Sequence, residues 1–193
     1  DFMWRYDMRR LSAEEIRDSI LNLTGKLNLK MGGPSIYTEV PRDVLATSSR
    51  PGGAWGNSSE EDRNRRSVYI FVKRSLHEPF LSAFDWADTD NTCDVRFVTT
   101  VPTQTLTLMN SKFLNDSAET LAKHVAEEAP GDATAQIRHA LHKATHRKPT
   151  DEEVQDGLDL IKELKEKTDA SQEDAMQRFC LLVLNLNEFL YLD

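Results

Sequence analysis

The stretch SQEDAMQRFCLLVLNL, residues 171–186, decides how the rest of the chain must fold. Ser171 is a favoured residue at a helix N-terminus. The helix that follows carries apolar side chains around almost its full circumference, so it must be surrounded by other elements. We therefore expect it to be the central helix of a bundle. Its predicted core residues are Met176, Phe179, Cys180, Leu182, Val183, Leu184 and Leu186.

Three amphipathic helices precede this stretch and would surround it. The first ends before Pro130-Gly131, the second has Asp132 as its N-cap, and the third begins with a capping box of Thr150 and Glu153. Each has apolar residues at helical spacing. The predicted inward residues are Phe113, Ala118, Leu121, Ala122 and Val125; Ile137, Ala140, Leu141 and Ala144; and Val154, Leu158, Ile161 and Leu164.

A further helix is predicted near the start of the chain. Ser12 and Glu15 form a capping box, and Gly25 supplies a left-handed stop. The helix would cover residues 13–24. From there the periodicity fades, and residues 30–62 read as a long Gly/Pro-rich loop or insertion. Tyr37 and Trp55 favour a loop that packs, and such long loops are commonly functional.

The apolar run at residues 68–72 is rich in β-branched and aromatic residues and favours a strand. Val95, Phe97, Thr99 and Val101 alternate with period two and could be its partner strand. A short buried helix capped by Ser67 is the alternative. The fold class is therefore mainly α: an irregular helical bundle with a long Gly/Pro-rich loop. A small two-stranded β element is possible at residues 68–72, where the short helix is the alternative.

The segment TVPTQTLTLMN, residues 100–110, predicts another helix. Pro102 suits the first helical position, and Gln104 is placed to reach back to the helix start. Leu106, Met109 and Phe113 would continue an inward face. Thr100 and its neighbour leave spare hydroxyls before the helix, so its N-terminus is a candidate site for an anion or a carbonyl.

Length and charge limit the possible functions. With 193 residues the chain fits a single domain, and its lack of an initial Met suggests a fragment of a larger protein. Residues 1–74 hold 13 Lys and Arg against 10 Asp and Glu, whereas the remainder is strongly acidic and the net charge is -8. This balance argues against a nucleic-acid partner. No apolar run approaches the roughly 20 residues of a membrane span.

Few catalytic motifs are available. There is no G-x-S-x-G elbow, P-loop or dinucleotide fingerprint, and no C-x-x-C-H motif for haem. His139, His142 and His146 share one predicted helix but read as a solvated basic face, so we expect no metal and no cofactor in this chain. Cys93 and Cys180 could pair or remain buried thiols.

Two polar groups are candidate sites. Asp85, Asp88, Asp90 and Asp94 could supply paired carboxylates for glycoside hydrolysis, or they could form an Asx-rich turn. Arg65, Arg66 and Arg96, together with Asp85, could form buried or half-buried ion pairs that tie the long loop to the helices. Alternatively, the arginines could line a pocket for an acidic or sulfated glycan. The candidate ligand-binding residues are Arg65, Arg66, Asp85, Arg96, Thr100 and Gln104.

Several segments together resemble one family. They are RRLSAEEIRDSIL (9–21), GGP (32–34), NRRSVYIFVKRS (64–75), FDWADTDNTC (84–93), Arg96, TTVPTQTLTLMN (99–110), RKPTDEE (147–153) and LNLNEFLYLD (184–193). In this order they resemble the planctomycete-specific C-terminal domain of exported cytochrome-c-like multidomain proteins, a domain of unknown function.

This resemblance implies an extracytoplasmic location, periplasmic or exported. It also implies upstream partners in the same polypeptide: a cytochrome-like domain, a second planctomycete-specific domain and sometimes a carbohydrate-binding insert. It implies no catalytic mechanism. The leading hypothesis is a non-catalytic docking or ligand-binding platform. The alternatives are a polysaccharide-acting enzyme subdomain that uses the Asp85 to Asp94 cluster and, less favoured without a haem motif, electron transfer.

Overall fold

The computed structural model describes residues 7–46 and 55–192, and its fold is mainly α-helical, as predicted. The chain divides into two compact units. Residues 11–104 form what we call the N-terminal unit, and residues 1–10 with 105–193 form the C-terminal unit. Residues 47–54 of the predicted long loop lie outside the described residues.

The N-terminal unit begins with α1, Ala13–Leu23, whose predicted capping box is confirmed. Ser12 N donates to Glu15 Oε2 at 2.7 Å, and Gly25 has the left-handed φ of 68° that ends the helix. The remaining helices of this unit are α2 (Arg42–Ala46), α3 (Glu60–Arg63), a 3-10 turn (Ser67–Tyr69) and α4 (Pro79–Ala83). The core lies where the fully buried face of α1 contacts α4 and the 3-10 turn.

The long loop packs against the unit, as Tyr37 and Trp55 predicted. Tyr37 lies between Trp55 and Phe71, with ring centroids 5.6 and 5.0 Å away. Trp55 Nε1 donates to the carbonyl of Thr38 at 2.8 Å. These contacts hold the two described ends of the loop together.

The predicted strand at residues 68–72 is wrong. Ser67 donates both its backbone N–H and its hydroxyl to Asp18 Oδ1, each at 2.7 Å, and the chain turns there into the 3-10 helix. Val68 and Val72 point outward, 69% and 49% exposed, and Ile70 makes a single bridge to Ile36. Its proposed partner, residues 95–101, forms no strand with any described residue.

Helix α5, Pro102–Asn110, exists as predicted, but its rotation does not match the prediction. Leu106 and Met109 are 56% and 52% exposed, whereas Gln104 and Leu108 are buried. Gln104 turns inward because its amide makes polar contacts there, and Leu108 lies one turn further along the same face.

The C-terminal unit is the predicted helical bundle. It contains α6 (Lys112–Glu128), α7 (Ala133–Thr145), α8 (Asp151–Thr168), α9 (Gln172–Val183) and α10 (Asn187–Leu190), with the predicted caps at Asp132, Thr150 and Ser171. Helix α9 contacts α6, α7 and α8, which confirms its central position. It is not wrapped on all sides, because Leu182 is 44% exposed.

The small β element lies elsewhere than predicted. Strands β1 (Arg9–Arg10) and β2 (Tyr191–Leu192) pair antiparallel, so the segment before α1 pairs with the segment after α10. Across the described ranges, no helix has both the length and the apolar content needed to cross a membrane.

Candidate functional site

Asp85 closes a loop that connects α4 to α5, which we call the 85–99 loop. The residue directly follows the C-cap of α4 and has a positive φ of 61°, which Asp tolerates better than most residues. Its carboxylate accepts hydrogen bonds from the backbone N and the hydroxyl of Thr99, at 2.9 and 2.7 Å. One carboxylate thus joins two points that are 14 positions apart.

Gln104 belongs to the same hydrogen-bonded group. Its Nε2 donates to Asp85 Oδ2 and to Thr99 Oγ1, both at 3.3 Å, and its Oε1 accepts from the backbone N of Val101 at 3.4 Å. The prediction that Gln104 reaches back to the helix start is therefore confirmed. Thr100 lies beside this group with an exposed side chain.

Arg96 ties the same loop to α1 at a second point. Its Nη1 lies 2.6 Å from Glu14 Oε2, and the indole of Trp86 donates to the other oxygen of Glu14 at 3.1 Å. Partial burial alone would raise the pKa of Glu14, but the hydrogen bond and charge of Arg96, together with hydrogen bonds from a backbone N–H and from Trp86, outweigh it and lower that pKa. The same hydrogen bond raises the pKa of Arg96.

Three apolar side chains of the loop are exposed to solvent near the two tie points, Arg96 and Thr99. Val95, Phe97 and Val98 are 79%, 85% and 68% exposed. The backbone from Arg96 to Val101 has no helix, turn or bend. Among the described residues, no backbone hydrogen bond joins residues 95–98 to any other segment. The loop thus exposes three apolar side chains that are close together in the chain.

Arg65 lies apart from this group and is buried, with 1% of its surface exposed. Its Nε and Nη1 donate to the carbonyls of Lys30 and Pro34 at 3.2 Å each, and its Nη2 donates to the carbonyl of Gly32. Its guanidinium also stacks on Tyr69, 4.0 Å from the ring centre. These contacts hold the Gly-Gly-Pro turn and occupy every nitrogen of the side chain.

Arg66 is 59% exposed, and its Nε lies 3.6 Å from Asp18 Oδ2. The six predicted ligand residues therefore divide into two places. Asp85 and Gln104 meet at the start of α5, Thr100 lies next to Thr99 there, and Arg96 anchors the same loop. Arg65 and Arg66 instead lie near the long loop. The structure shows the arginines in contact with carboxylates and carbonyls.

The acidic residues of the 85–99 loop make separate local contacts. Asp88 Oδ1 accepts from the backbone N of Asp90 at 2.9 Å, and Asn91 donates to its other oxygen at 2.7 Å, which is an Asx turn. Asp90 pairs with Arg74 at 2.6 Å. Asp94 is exposed. The turn that the sequence predicted as one alternative is confirmed.

The histidines and cysteines are also separate from one another. His139 contacts Glu128 at 3.1 Å, His142 contacts the carbonyl of Arg147 at 2.9 Å, and His146 is the left-handed C-cap of α7. In the described part of the chain, no three His, Cys, Asp or Glu side chains are placed to hold a metal.

Both cysteines are free thiols, and Cys93 is exposed, so the expectation that both are buried is wrong for Cys93. Its position in the 85–99 loop, away from any helix core, explains the difference.

Two groups of polar residues have no counterpart in the sequence prediction. Glu14 and Trp86 organise the anchor of Arg96, and Arg17 and Glu78 are buried ionisable residues whose charges influence each other. Burial raises the pKa of Glu78, although a backbone N–H and the charge of Arg17 partly oppose this. Burial likewise lowers the pKa of Arg17. An acidic residue in the first turn of a helix gives no sequence signal for such a long-range contact.

Comparison with curated proteins and with solved structures finds no match. A match does come from a family model, that of PSD1, described as a protein of unknown function (DUF1553). It covers residues 1–161 of the 193. This range includes the whole N-terminal unit and the bundle as far as the middle of α8. On this extent of agreement, the chain belongs to the PSD1 family.

Proposed function

We propose that this PSD1 domain is a non-catalytic protein-docking module and that Val95, Phe97 and Val98 form its contact surface. The observation that carries the proposal is the 85% exposure of Phe97 on a loop that is tied down nearby. An exposed contiguous apolar surface is characteristic of an interaction site. Fully burying each of these side chains would contribute about 1.5–3 kcal/mol.

The two ties explain why the apolar residues stay exposed. Without them, a loop of this length could fold its aromatic and β-branched residues onto the protein. Asp85 fixes Thr99, and Glu14 fixes Arg96, so Phe97 and Val98 lie between two anchored residues and Val95 directly precedes one of them. A partner then loses less conformational entropy on binding, because the contact segment is already ordered.

The backbone of the loop favours an extended protein segment as the partner. The backbone of residues 95–98 makes no backbone hydrogen bond with another described segment, so an extended chain can pair with its donors and acceptors as an added strand. Apolar side chains on both strands would then pack together. A glycan would gain little from such a surface, and the arginines that could bind its anionic groups are already engaged.

The family resemblance supplies the context of the proposal. It implies an exported multidomain polypeptide with a cytochrome-like domain and a second planctomycete-specific domain, and these neighbours are the nearest source of an extended segment. We therefore place the domain outside the cytoplasm, docked to domains of its own polypeptide.

Amide hydrogen exchange tests this function. Exchange is measured by mass spectrometry for the 193-residue chain alone and for the longer polypeptide that contains it. We expect amides of residues 95–98 to exchange at least about tenfold more slowly in the longer polypeptide, because strand pairing protects them. Phe97→Asp should remove the protection.

Val68→Asp is the matched control, since Val68 is 69% exposed in the same unit but lies outside the 85–99 loop. It should leave the protection of residues 95–98 unchanged. Equal exchange in both polypeptides, or equal effects of the two substitutions, would disprove the docking role of the loop.

A further inference from the structure

A small apolar groove opens on the C-terminal unit, distinct from the 85–99 loop. It lies where the ends of α7 and α9 meet the first half of α8 and the start of α10, and its volume is about 200 Å³. Its floor and walls are apolar. They are formed by Leu141, Gly157, Leu160, Phe179, Leu182 and Leu186.

Gly157 and Leu182 contribute to the groove in different ways. Gly157 is buried inside α8, where its backbone packs so closely on Phe179 and Ile137 that a β-carbon would have no room. Leu182 is 44% exposed, although the residues beside it in α9 are buried in the bundle core or partly covered. The apolar surface of Leu182 is thus available at the mouth of the groove.

The mouth is acidic. Arg147 is the one cation among the lining residues, and it faces three carboxylates: Glu153, Asp156 and Glu188. Two of these carboxylates accept hydrogen bonds from Arg147. It donates to Glu153 through Nη1 at 2.9 Å and through Nη2, and to Glu188 through Nε at 2.8 Å and Nη2 at 3.0 Å.

The third carboxylate, Asp156, takes part in no ion pair with any residue that the structure describes. The lining therefore carries an excess of negative charge, and four of the five N–H groups of Arg147 already donate to Glu153 and Glu188. An incoming cation, by contrast, would find Asp156 available beside the apolar floor.

Size and charge together indicate the occupant. Sites for small molecules usually measure about 300–1,000 Å³. The groove measures about 200 Å³, which suits one large apolar side chain. We infer that the groove binds a protein segment in which one large apolar residue is flanked by Lys or Arg. The apolar side chain enters above Phe179, and the flanking cation pairs with Asp156.

This site is independent of the proposed docking loop, because it lies in the other unit and uses other residues. Failure of one proposal therefore leaves the other standing. Short peptides serve as the probe, titrated into the full chain and followed by methyl NMR of its leucines. The three peptides are acetylated, amidated Lys-Leu-Lys, Glu-Leu-Glu and Lys-Ala-Lys.

We expect Lys-Leu-Lys to shift the methyl signals of Leu182 and Leu160. Lys-Ala-Lys should bind about tenfold more weakly or worse, because the apolar anchor is lost. Glu-Leu-Glu should bind more weakly still at low salt, because its charges face the acidic mouth. Asp156→Asn should weaken Lys-Leu-Lys about two- to fivefold, as expected for one exposed ion pair.

Glu166→Gln is the matched control, since Glu166 is an exposed carboxylate on the same helix outside the groove. It should leave peptide binding unchanged. Equal binding of the lysine and glutamate peptides, shifts at leucines away from the groove, or no shift at millimolar peptide would overturn the inference. Concentration-dependent shifts of Leu182 without peptide would identify a second copy of the chain as the occupant and would also overturn it.

Discussion

At the scale of single residues, Arg65 and Arg66 allow the contribution of a buried arginine to stability to be compared with that of an exposed one. Arg65 is buried and donates to three carbonyls, whereas its neighbour Arg66 is mostly exposed. Arg65→Lys keeps the charge but loses the planar fork and the stacking on Tyr69. We expect it to lower the free energy of unfolding by about 1.5–3 kcal/mol, measured by urea denaturation.

Arg66→Lys is the control and should change the stability by less than about 0.5 kcal/mol. Equal, small effects of both substitutions would show that Arg65 does not hold the Gly-Gly-Pro turn as the structure indicates.

The two cysteines should differ sharply in reactivity. Burial raises the pKa of Cys180 to about 12, and the thiolate is the reactive form. Cys93 is exposed. At pH 8 we expect an aromatic disulfide reagent to label one thiol per native chain and two per chain in concentrated urea. Cys93→Ser should abolish native labelling, and persistent labelling of that variant would contradict the buried position of Cys180.

The ion pair of Arg147 and Glu153 should make stability depend on acid pH. The hydrogen bond from Arg147 lowers the pKa of Glu153 from 4.5 to about 2. Because the folded-state pKa lies below the unfolded one, the pair contributes stability above about pH 4.5, and this contribution is lost as the pH falls toward 2. Glu153→Gln preserves the capping box but removes the charge.

We expect Glu153→Gln to cost no more than about 1 kcal/mol at neutral pH, since the pair is exposed, and nothing near pH 2. Glu152→Gln, on the same helix turn, controls for the helix dipole. Denaturation curves across this pH range would measure both, and a pH-independent difference would exclude the ion pair as its cause.

At the scale of elements, Gly157 fixes how closely α8 approaches its neighbours. A β-carbon at this position would lie 2.9 Å from Phe179 Cε2 and 3.0 Å from Ile137 Cγ2. Gly to Ala in an exposed helix stabilises by about 1 kcal/mol. Here overpacking should reverse the sign, so that Gly157→Ala lowers the free energy of unfolding by about 1–2 kcal/mol.

Gln155→Ala is the control on an exposed position of α8, with an expected change within about 0.5 kcal/mol in urea denaturation. A stabilised Gly157→Ala variant would show that the helices are further apart than the structure has them.

The helices could be predicted from the sequence because their start signals are local. Ser12 with Glu15 and Thr150 with Glu153 lie three positions apart, and each pair satisfies its own helix end. The conformation of residues 68–72 could not be predicted from local signals. It depends on Asp18, some 49 positions away, which accepts hydrogen bonds from Ser67 where the chain turns.

Dependence on contacts between distant residues also explains why the rotation of α5 was predicted wrongly and why part of the candidate site was missed. The helix start at Pro102 was a local signal, but its rotation follows from the contact of Gln104 with Asp85. The sequence indicated Asp85 and Arg96 as part of a polar set and Gln104 through its place at the helix start. The anchors Glu14 and Trp86 remained unpredicted, because they meet Arg96 only through the tertiary fold.

At the scale of the whole molecule, charge argues against an anionic glycan as the ligand. The net charge is -8, and Arg65, Arg66 and Arg96 are each already in contact with carbonyls or a carboxylate. We expect millimolar sulfated oligosaccharide to leave the melting temperature unchanged. A ligand at 100 times its dissociation constant would add about 2.7 kcal/mol, or several degrees. The uncharged oligosaccharide controls for crowding. A rise with the sulfated form alone, abolished by Arg66→Ala, would show that the exposed guanidinium leaves Asp18 for the glycan.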